Sequence, residues 1–390
     1  MATVTKSIGT SVSPSRDYST ITAWEADLDN VAIYSAGDDA VGECYNDSVF
    51  NEEVTINGGG TVGLSSLKLT VPESERHDGT AGSGARNVHS GGSYTGGHCI
   101  SIDIDAMPND VTIEWLEMAN ANNHCYRGCI CSTTSEPSGG VSKTLRIRHN
   151  LCYHTVVNAR NSFGIHIGHH CLGGSTSELQ ICNNIIFDIK QNTTGDRGDL
   201  IGIKTGYWDT VYVCNNTIWN IDEAHASSTA DLIGIMMYDA GAITEYCRNN
   251  VVMDVQTNGS GPADCFESFS NVTDDHNLSS DATAAGTGSL TNKSASDQFE
   301  SIISSIDLHL KSGADAINAG TDLGTTPSGV EIDIDGRDRD SEGDTWDMGA
   351  DEYVVASGNI KTINSIVWGN VKTLNSITVD SIKELQEITA

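Results

Sequence analysis

Four side chains at equivalent positions of a repeated segment could take part in acid–base chemistry, namely His154, Asp188, Asn220 and Asp254. Glycoside hydrolases place two carboxylates on either side of the bond they cleave, so Asp188 and Asp254 would be the catalytic residues of such an enzyme. Each of the four, however, stands two residues after an apolar residue that is expected to face a core, where a turn is expected. One of them is Asn, another is His, and no Lys or Arg recurs beside them. We therefore predict turn residues here and no catalytic site.

A second candidate site is an acidic segment that resembles a calcium-binding loop. Residues 338–344 read Asp-Arg-Asp-Ser-Glu-Gly-Asp, which is similar to the pattern D-x-D-x-[DE]-G. Calcium prefers such oxygen ligands. The Glu that ends an EF-hand loop is replaced by Gly349, so bound calcium would be structural, and we expect no required cofactor. The candidate ligands are Asp333, Asp335, Asp338, Asp340 and Glu342.

Histidine and cysteine, the usual zinc ligands, are concentrated between residues 124 and 171. No C-x-x-C pair with zinc spacing occurs among them. Cysteine is also common at inward-facing positions, and histidine is tolerated in turns, so we predict structural roles and no metal site. The residues are His124, Cys125, Cys129, Cys131, His149, Cys152, His154, His166, His169, His170 and Cys171.

The charge of the chain excludes some partners. Its 390 residues include 53 acidic and 21 basic side chains, which gives a net charge of −32, and no basic stripe offsets that field. Binding to DNA or RNA is therefore disfavoured. No apolar run is long enough to insert into a membrane, and no signal sequence is visible at the N-terminus. With eleven scattered cysteines, an odd number, we expect reduced thiols in a protein assembled in a cytoplasm.

An internal repeat indicates the fold. Asparagines at equivalent positions are separated by 34, 32, 34 and 27 residues, and a column of glycines runs in step with them. A period of this size means stacked units, and each unit contains short alternating strands, which predicts an all-β solenoid of about eight to eleven coils. Asn suits the turns because it tolerates left-handed backbone angles and because stacked amides can hydrogen-bond between coils. The asparagines are Asn150, Asn184, Asn216, Asn250 and Asn277, and the glycines are Gly164, Gly202 and Gly234.

The open end of a solenoid has to be covered, and the sequence predicts a short amphipathic helix for that purpose. Near the N-terminus, Ile21, Trp24 and Leu28 have helical spacing, and Thr22 with Glu25 could form a capping box. The predicted divisions are residues 1–30 for an N-terminal arm and this helix, 31–355 for the β-helix with a terminal cap segment, and 356–390 for a tail.

Two sets of residues resemble a known superfamily. The Asn-Asn-apolar segments are similar to the coils of right-handed parallel β-helix proteins of the pectate-lyase-like superfamily. The stretches 314–321, 333–337 and 347–353 resemble the terminal segment of many bacterial and phage β-helix proteins. The resemblance covers residues 15 to 355 and implies a right-handed parallel β-helix. It implies no particular function, because this scaffold carries lyases, hydrolases, adhesins and inert spikes alike.

If the apolar residue of each repeat faces inwards, the residue after it faces outwards. This places Tyr153, Phe187, Trp219 and Met253 in one exposed stripe along the stack. Exposed aromatic side chains of this kind stack on sugars or pack against a neighbouring subunit. Because phage β-helix proteins are commonly trimers, the resemblance favours a subunit interface over glycan binding.

The last residues form an 11-residue repeat whose copies start at Gly358, Gly369 and Asp380. Gly-Asn at the first two starts and the β-branched residues disfavour a helix, so short strands are predicted. A tail of this length cannot bury its apolar residues alone, so it should pack on a partner and serve oligomerisation or attachment. These repeats, and the segment 16–24, resemble parts of phage virion proteins. The predicted interface residues of the tail are Ile360, Ile363, Ile366, Val371, Leu374 and Ile377.

Together these patterns favour a non-enzymatic structural protein of a bacteriophage virion, either a capsid decoration protein or a surface fibre or spike. We expect a homo-oligomer, with a trimer favoured, that is assembled in the host cytoplasm and binds a major capsid or tail protein at the virion surface. One alternative is a phage tailspike that binds or degrades a surface polysaccharide. A second is a cell-surface β-helix adhesin, which would need an export route that the sequence does not show.

Overall fold

A computed structural model of the chain describes most residues up to 354. The described residues are 2–90, 97–120, 127–133, 142–154, 162–168, 176–191, 198–206, 208–226, 228–237, 244–267, 269, 271–342 and 345–354. The chain divides into two compact units, Met1–Tyr353 and Val354–Ala390, and the repeats of the second unit lie outside the described residues. No helix within the described ranges is long and apolar enough to cross a membrane.

The described residues of the first unit form three parallel sheets. Sheet 1 contains β1 (Thr3–Ile8), β2 (Asp39–Cys44), β4 (Ser66–Thr70), β7 (Asp110–Glu114), β10 (Thr144–Arg148), β13 (Glu178–Cys182), β16 (Thr210–Cys214), β19 (Thr244–Arg248) and β22 (Thr273–Asp275). Sheet 2 contains β5 (Arg86–His89), β8 (Glu117–Asn120), β11 (Leu151–His154), β14 (Ile185–Gln191), β17 (Thr217–Glu223), β20 (Val251–Thr257) and β23 (Leu278–Ser279). Sheet 3 contains β3 (Val54–Ile56), β6 (Ile100–Ile102), β9 (Arg127–Ser132), β12 (Ser162–Ile167), β15 (Leu200–Thr205), β18 (Leu232–Met236) and β21 (Ala263–Phe266).

The chain visits sheets 1, 2 and 3 in that order, and each strand pairs in parallel with its equivalent in the previous coil. Six rounds are complete in the described part of the chain, from β4–β6 to β19–β21. This arrangement is a parallel β-helix, so the predicted fold class is confirmed. The prediction of about eight to eleven coils was too high. After β23, Leu290 makes one more parallel bridge with Leu278, and Ala284 joins the core inside the coils. The residues from 295 onwards pack on the outside of sheet 2.

The interior of the coils is one apolar core. Within a single coil, Ile181, Ile186 and Ile203 are fully buried and belong to sheets 1, 2 and 3. Their equivalents in the next coil are paired with them in register, so apolar side chains stack on apolar side chains at these positions. The column predicted to face inwards lies in this core, namely Cys152, Ile186, Ile218 and Val252.

The glycine column of sheet 3 has a steric cause. A Cβ atom on Gly164 would lie 2.6 Å from the carbonyl oxygen of Gly202, and a Cβ atom on Gly202 would lie 2.6 Å from that of Gly234. Both distances are shorter than real Cβ atoms tolerate. Consecutive coils therefore approach each other so closely at this position that a larger residue would separate them.

In each Asn-Asn pair between sheets 1 and 2, one residue provides the turn and the other provides hydrogen bonds between coils. The first Asn has left-handed backbone angles, with φ of 55° at Asn183 and 53° at Asn215. The second Asn forms a ladder: Asn184 Nδ2 donates to Asn216 Oδ1 at 3.0 Å, and Asn216 Nδ2 donates to Asn250 Oδ1 at 3.0 Å. The predicted combination of a left-handed turn and stacked amides is therefore present, but at adjacent residues.

The predicted N-terminal helix is α1 (Ile21–Ala26), which packs on β1, β2 and β3. The predicted capping box of Thr22 and Glu25 was wrong. Thr20 is the N-cap, and its Oγ1 accepts from Ala23 N at 3.1 Å. Glu25 Oε1 instead accepts from Gly58 N at 2.7 Å, so it joins the helix to the coils. The residues before α1 include β1, which is the edge strand of sheet 1.

Residues 295–353, called the covering segment below, pack on the outer face of sheet 2. The segment contains α2 (Ala295–Gln298), an antiparallel pair of β24 (Phe299–Ser301) and β25 (Asp307–Leu310), and α3 (Arg339–Glu342). Its backbone is bonded to the coils: Gly349 N donates to Asn249 O at 2.7 Å, and Ala350 N donates to Thr217 Oγ1 at 2.9 Å. The stretches that resemble the terminal segment of β-helix proteins all lie in it.

Candidate functional site

The carboxylate column of sheet 2 lies where three strands bend. Asp188, Asn220 and Asp254 have φ of 58°, 64° and 57°, and the pairing of β14 with β17 skips the residues Asp188 and Asn220. Left-handed backbone at these positions agrees with the prediction of turn residues. The fourth member, His154, ends β11, and its Nε2 donates to Phe163 O at 3.0 Å. The bend leaves the three other side chains half-buried at the outer surface.

Each carboxylate of this column is held by hydrogen bonds. Asn220 Nδ2 donates to Asp188 Oδ1 at 2.6 Å, and Trp219 Nε1 donates to Asp254 Oδ2 at 2.8 Å. Asp188 and Asp254 are two coils apart, about 9.5 Å at the usual spacing of strands. That spacing is too long for a double-displacement glycosidase, whose carboxyl groups are about 5 Å apart, and it falls at the upper end of the range of about 6.5–9.5 Å in inverting enzymes. The bonds fix the bend and order the two carboxylates.

Two residues of this surface were not predicted. Lys190 Nζ lies 2.8 Å from Asp188 Oδ1, and Lys190 is paired with Asp222 of the next coil. Burial raises the pKa of Asp222; the charge of Lys190 opposes this shift and that of Asp188 adds to it. A catalytic base would be predicted from a Lys or Arg that recurs in every repeat, whereas Lys190 occurs in one repeat. The sequence signal for this contact was the spacing, because Lys190 follows Asp188 by two residues in the same strand. We call Asp188, Lys190, Asn220, Asp222 and Asp254 the sheet 2 polar patch.

The aromatic stripe is not exposed, contrary to the prediction. Phe187 and Trp219 are 5% and 7% exposed, Met253 is fully buried, and Tyr153 is partly buried beside them. They lie in one apolar cluster with Met348 and other residues of the covering segment. Their side chains do point away from the coil interior, as predicted, but the same chain occupies the surface that was assigned to a neighbouring subunit.

The predicted calcium ligands are engaged in different contacts. Asp333 Oδ1 accepts from the backbone of Asp335 and Arg337, which forms a turn. Asp338 Oδ1 accepts from Asp340 N at 3.1 Å, and Asp340 Oδ1 accepts from Trp346 Nε1 at 2.8 Å.

Glu342, the fifth predicted ligand, ends α3. Where side chains are described, the one group of three ligand atoms within 4.8 Å of one another is His309, Asp335 and Asp351. Asp335 is the single member that we had predicted.

Histidines and cysteines of the region 124–171 are spread over the β-helix in the part that the structure describes. His149 Nε2 donates to Ile332 O at 2.8 Å, and Cys129 and Cys152 are fully buried. Burial raises the pKa of the Cys131 thiol. The nine described cysteines are all buried free thiols. The residues His124, Cys125, His169, His170 and Cys171 lie outside the described residues.

An ionic cluster in the covering segment was also not predicted. His309 Nδ1 lies 2.5 Å from Asp307 Oδ1, and His309 Nε2 lies 3.3 Å from Asp335 Oδ1. Burial alone would lower the pKa of His309, but the hydrogen bond to Asp335 and the charge of Asp351 outweigh it and raise the pKa to about 10. The sequence offers no signal for this cluster, because its members are far apart in the chain and join only when the segment folds.

The architecture defines a protein of the parallel β-helix class, in which residues 295–353 of the same chain cover the outer face of sheet 2. Comparison of the chain with models of known protein families, with curated protein sequences and with solved structures gave no match.

Proposed function

We propose that the chain is a non-enzymatic structural protein of a bacteriophage particle, exposed at the particle surface. The observation that carries the proposal is that the candidate side chains of sheet 2 are engaged in contacts within the protein. Asp188 and Asp254 each accept a hydrogen bond from a side chain of β17, the strand that lies between theirs, and the aromatic stripe is buried under the covering segment. Residues that could have formed a cleavage site thus stabilise the β-helix, which suits a surface spike or a decoration protein.

The phage origin and the attachment are proposed from resemblance. The 11-residue repeats of the tail and the segment 16–24 are similar to parts of phage virion proteins. In the structure Arg16 Nε binds Asp47 Oδ2 at 2.8 Å, and Trp24 Nε1 donates to Tyr34 OH at 3.1 Å. The segment therefore builds the N-terminal cap. We propose the tail as the part that oligomerises and binds a capsid or tail protein, and pectate-lyase-like relatives as the origin of the scaffold.

Antibodies raised against residues 2–353 test this proposal on purified particles of the phage that encodes the chain. We expect regular labelling of the particle surface and a fixed number of copies per particle in quantitative mass spectrometry. Detection of the chain in infected cells together with its absence from purified particles would overturn the proposal.

A second candidate function is cleavage of a polysaccharide at the sheet 2 polar patch. The specific observation is Lys190, 2.8 Å from Asp188 and paired in register with Asp222, whose pKa is raised by burial. A carboxyl group with a raised pKa beside an ionised one is an arrangement that general acid–base catalysis uses.

A panel of bacterial capsular polysaccharides distinguishes the two functions. Release of new reducing ends or unsaturated uronates by the protein, lost in Asp188→Asn and Asp222→Asn but kept in Asp340→Asn, would establish an enzyme. We expect no release from any polysaccharide. Asp340→Asn, which lies outside the sheet 2 polar patch, is the matched control for the two patch variants.

A further inference from the structure

The ionic cluster of the covering segment has the composition of a metal site. His309 lies in β25, Asp335 in the turn after Asp333, and Asp351 near the end of the segment. One ligand atom of each lies within 4.8 Å of the others. Zinc bonds to His nitrogen and Asp oxygen are about 2.0–2.2 Å long, so the three atoms need to close by only about 1 Å to share an ion.

The imidazole of His309 is oriented for ligation. Asp307 Oδ1 accepts from Nδ1–H at 2.5 Å, which leaves Nε2 directed at Asp335. A carboxylate behind a histidine is the usual arrangement at metal centres, because it fixes the ring and makes the other nitrogen more basic. In the metal-free cluster Nε2 carries a proton that faces Asp335, and a bound ion takes the place of this proton. Gly79 packs against the same ring edge, and a Cβ atom there would lie 2.7 Å from Nε2. Glycine thus keeps side-chain atoms away from Nε2.

Asp351 supplies an acceptor without a donor. The residue is 4% exposed, and its Oδ2 accepts from Leu310 N at 2.8 Å. Its Oδ1 has no hydrogen-bond donor among the described residues, and the nearest cationic atom is Arg337 Nη1 at 4.0 Å. A cation in the cluster could therefore bind Asp351 Oδ1 without breaking a hydrogen bond of the protein.

Arg337 is the competitor for this position. Its Nη2 lies 2.7 Å from Asp335 Oδ2, on the oxygen that does not face His309. The side chain is 41% exposed, so it can move into solvent without burying an unpaired charge. The remaining ligand set is one nitrogen and two carboxylates. Calcium needs six to eight oxygens, whereas zinc and related cations accept three such ligands and a water molecule.

We propose that His309 Nε2, Asp335 and Asp351 bind one divalent cation of the zinc class. The ion joins β25, the 333–337 turn and the last residues of the covering segment, and so fastens the segment that closes sheet 2. This site shares Asp335 with the predicted calcium loop but differs from it in the other ligands and in its ion, and it does not depend on the proposed phage function.

The test uses the full chain after dialysis against EDTA. Addition of Zn²⁺ should raise the Tm by several degrees at saturation, since a ligand of the folded state alone stabilises it. His309→Gln and Asp351→Asn should weaken binding by more than about tenfold. Arg337→Gln should tighten it, because a competing positive charge is removed. Asp338→Asn and Asp340→Asn, the matched controls from the predicted calcium loop, should bind as the unmodified chain does.

Co²⁺ provides a readout that does not depend on the variants folding. Bound through nitrogen and oxygen it absorbs weakly in the visible range, whereas bound through cysteine it shows strong near-ultraviolet charge-transfer bands. Strong sulfur bands would overturn the proposal, as would a Tm unchanged by Zn²⁺. A Tm raised by Ca²⁺ alone, and lost in Asp340→Asn, would overturn it in favour of the calcium loop.

Discussion

Adjacent residues at each boundary between sheets 1 and 2 contribute to stability in different ways. Asn216 accepts from Asn184 N at 3.1 Å and donates to Ile181 O at 2.8 Å, deep in the protein. Asn215 supplies left-handed backbone, which Gly also adopts readily. The repeat in the sequence predicted that Asn matters here. It could not separate the two tasks, because both residues are Asn.

Replacement of these two residues separates the tasks. Asn216→Ala removes the bonds of the ladder and leaves buried backbone groups without partners, so it should lower the free energy of unfolding by about 3 kcal/mol or more. Asn215→Gly keeps the backbone angle but loses the hydrogen bond from Asn215 Nδ2 to Val330 O at 3.2 Å, and it should cost about 1 kcal/mol. Urea unfolding monitored by far-UV circular dichroism gives both values. Equal losses would contradict the division of tasks.

His149 occupies the position of the first Asn in its coil and should make the protein sensitive to acid. Burial lowers the pKa of His149 to about 3, and that of His77 to about 4, from an ordinary value of 6.5. The unfolded chain then binds protons that the folded chain does not. Stability is therefore complete above pH 6.5 and is lost progressively as the pH falls towards these folded-state values.

His149→Asn copies the residue of the neighbouring coil, Asn183, and should remove part of this dependence. Between pH 7 and pH 5 one buried neutral histidine costs about 2 kcal/mol. We expect the loss of unfolding free energy over that interval to be smaller in the variant by about this amount. Urea titrations at both pH values measure it. An identical loss in both proteins would show that His149 takes up no proton on unfolding.

At the scale of elements, the strands were predictable and the covering segment was not. Short alternating strands recur with a period near 34 residues, and the sequence shows this pattern directly. The covering segment has no period, and its contacts join residues far apart in the chain, such as Arg339 and Asn183. The exposed stripe was mispredicted for the same reason: alternation shows which side of a strand a residue faces, but not what lies on that side.

Arg339 is the residue on which closure of the segment most depends. It is fully buried, and it donates to Glu352 Oε2 at 2.9 Å, to Asn183 Oδ1 at 3.2 Å and to the carbonyl oxygens of Gly349 and Ala350. Lys cannot reproduce this fork of donors, so Arg339→Lys should cost about 3–5 kcal/mol and open the segment locally.

Hydrogen exchange measures this opening. We expect faster exchange in residues 295–353 of Arg339→Lys and new binding of a hydrophobic dye to the uncovered stripe, with the coils still protected. Lys293→Met, which removes a surface ion pair with Asp315, is the matched control and should change neither readout. Exchange that accelerates equally in the coils would mean that the segment and the β-helix unfold together.

For the whole molecule, oligomerisation is now expected from the tail alone. The stripe that was to form a subunit interface is buried within the chain, while Ile360, Val371 and the other apolar residues of the repeats lie outside the described residues. A chain without residues 356–390 should sediment as a monomer, whereas the full chain should sediment as a trimer. Analytical ultracentrifugation of the full and the shortened chain tests this prediction. Full-length monomers, or trimers that persist without the tail, would contradict it.

The covering segment also imposes an order on synthesis. Coils can form as they leave the ribosome, because each needs only the coil before it. Phe187 and the residues stacked with it have no cover until the segment emerges, and Met348 follows Phe187 by 161 residues. At about 5–20 residues per second, translation leaves that surface bare for roughly 8–30 seconds. Nascent chains stalled in this interval will adhere to one another or to chaperones, and release of a finished chain will end the exposure.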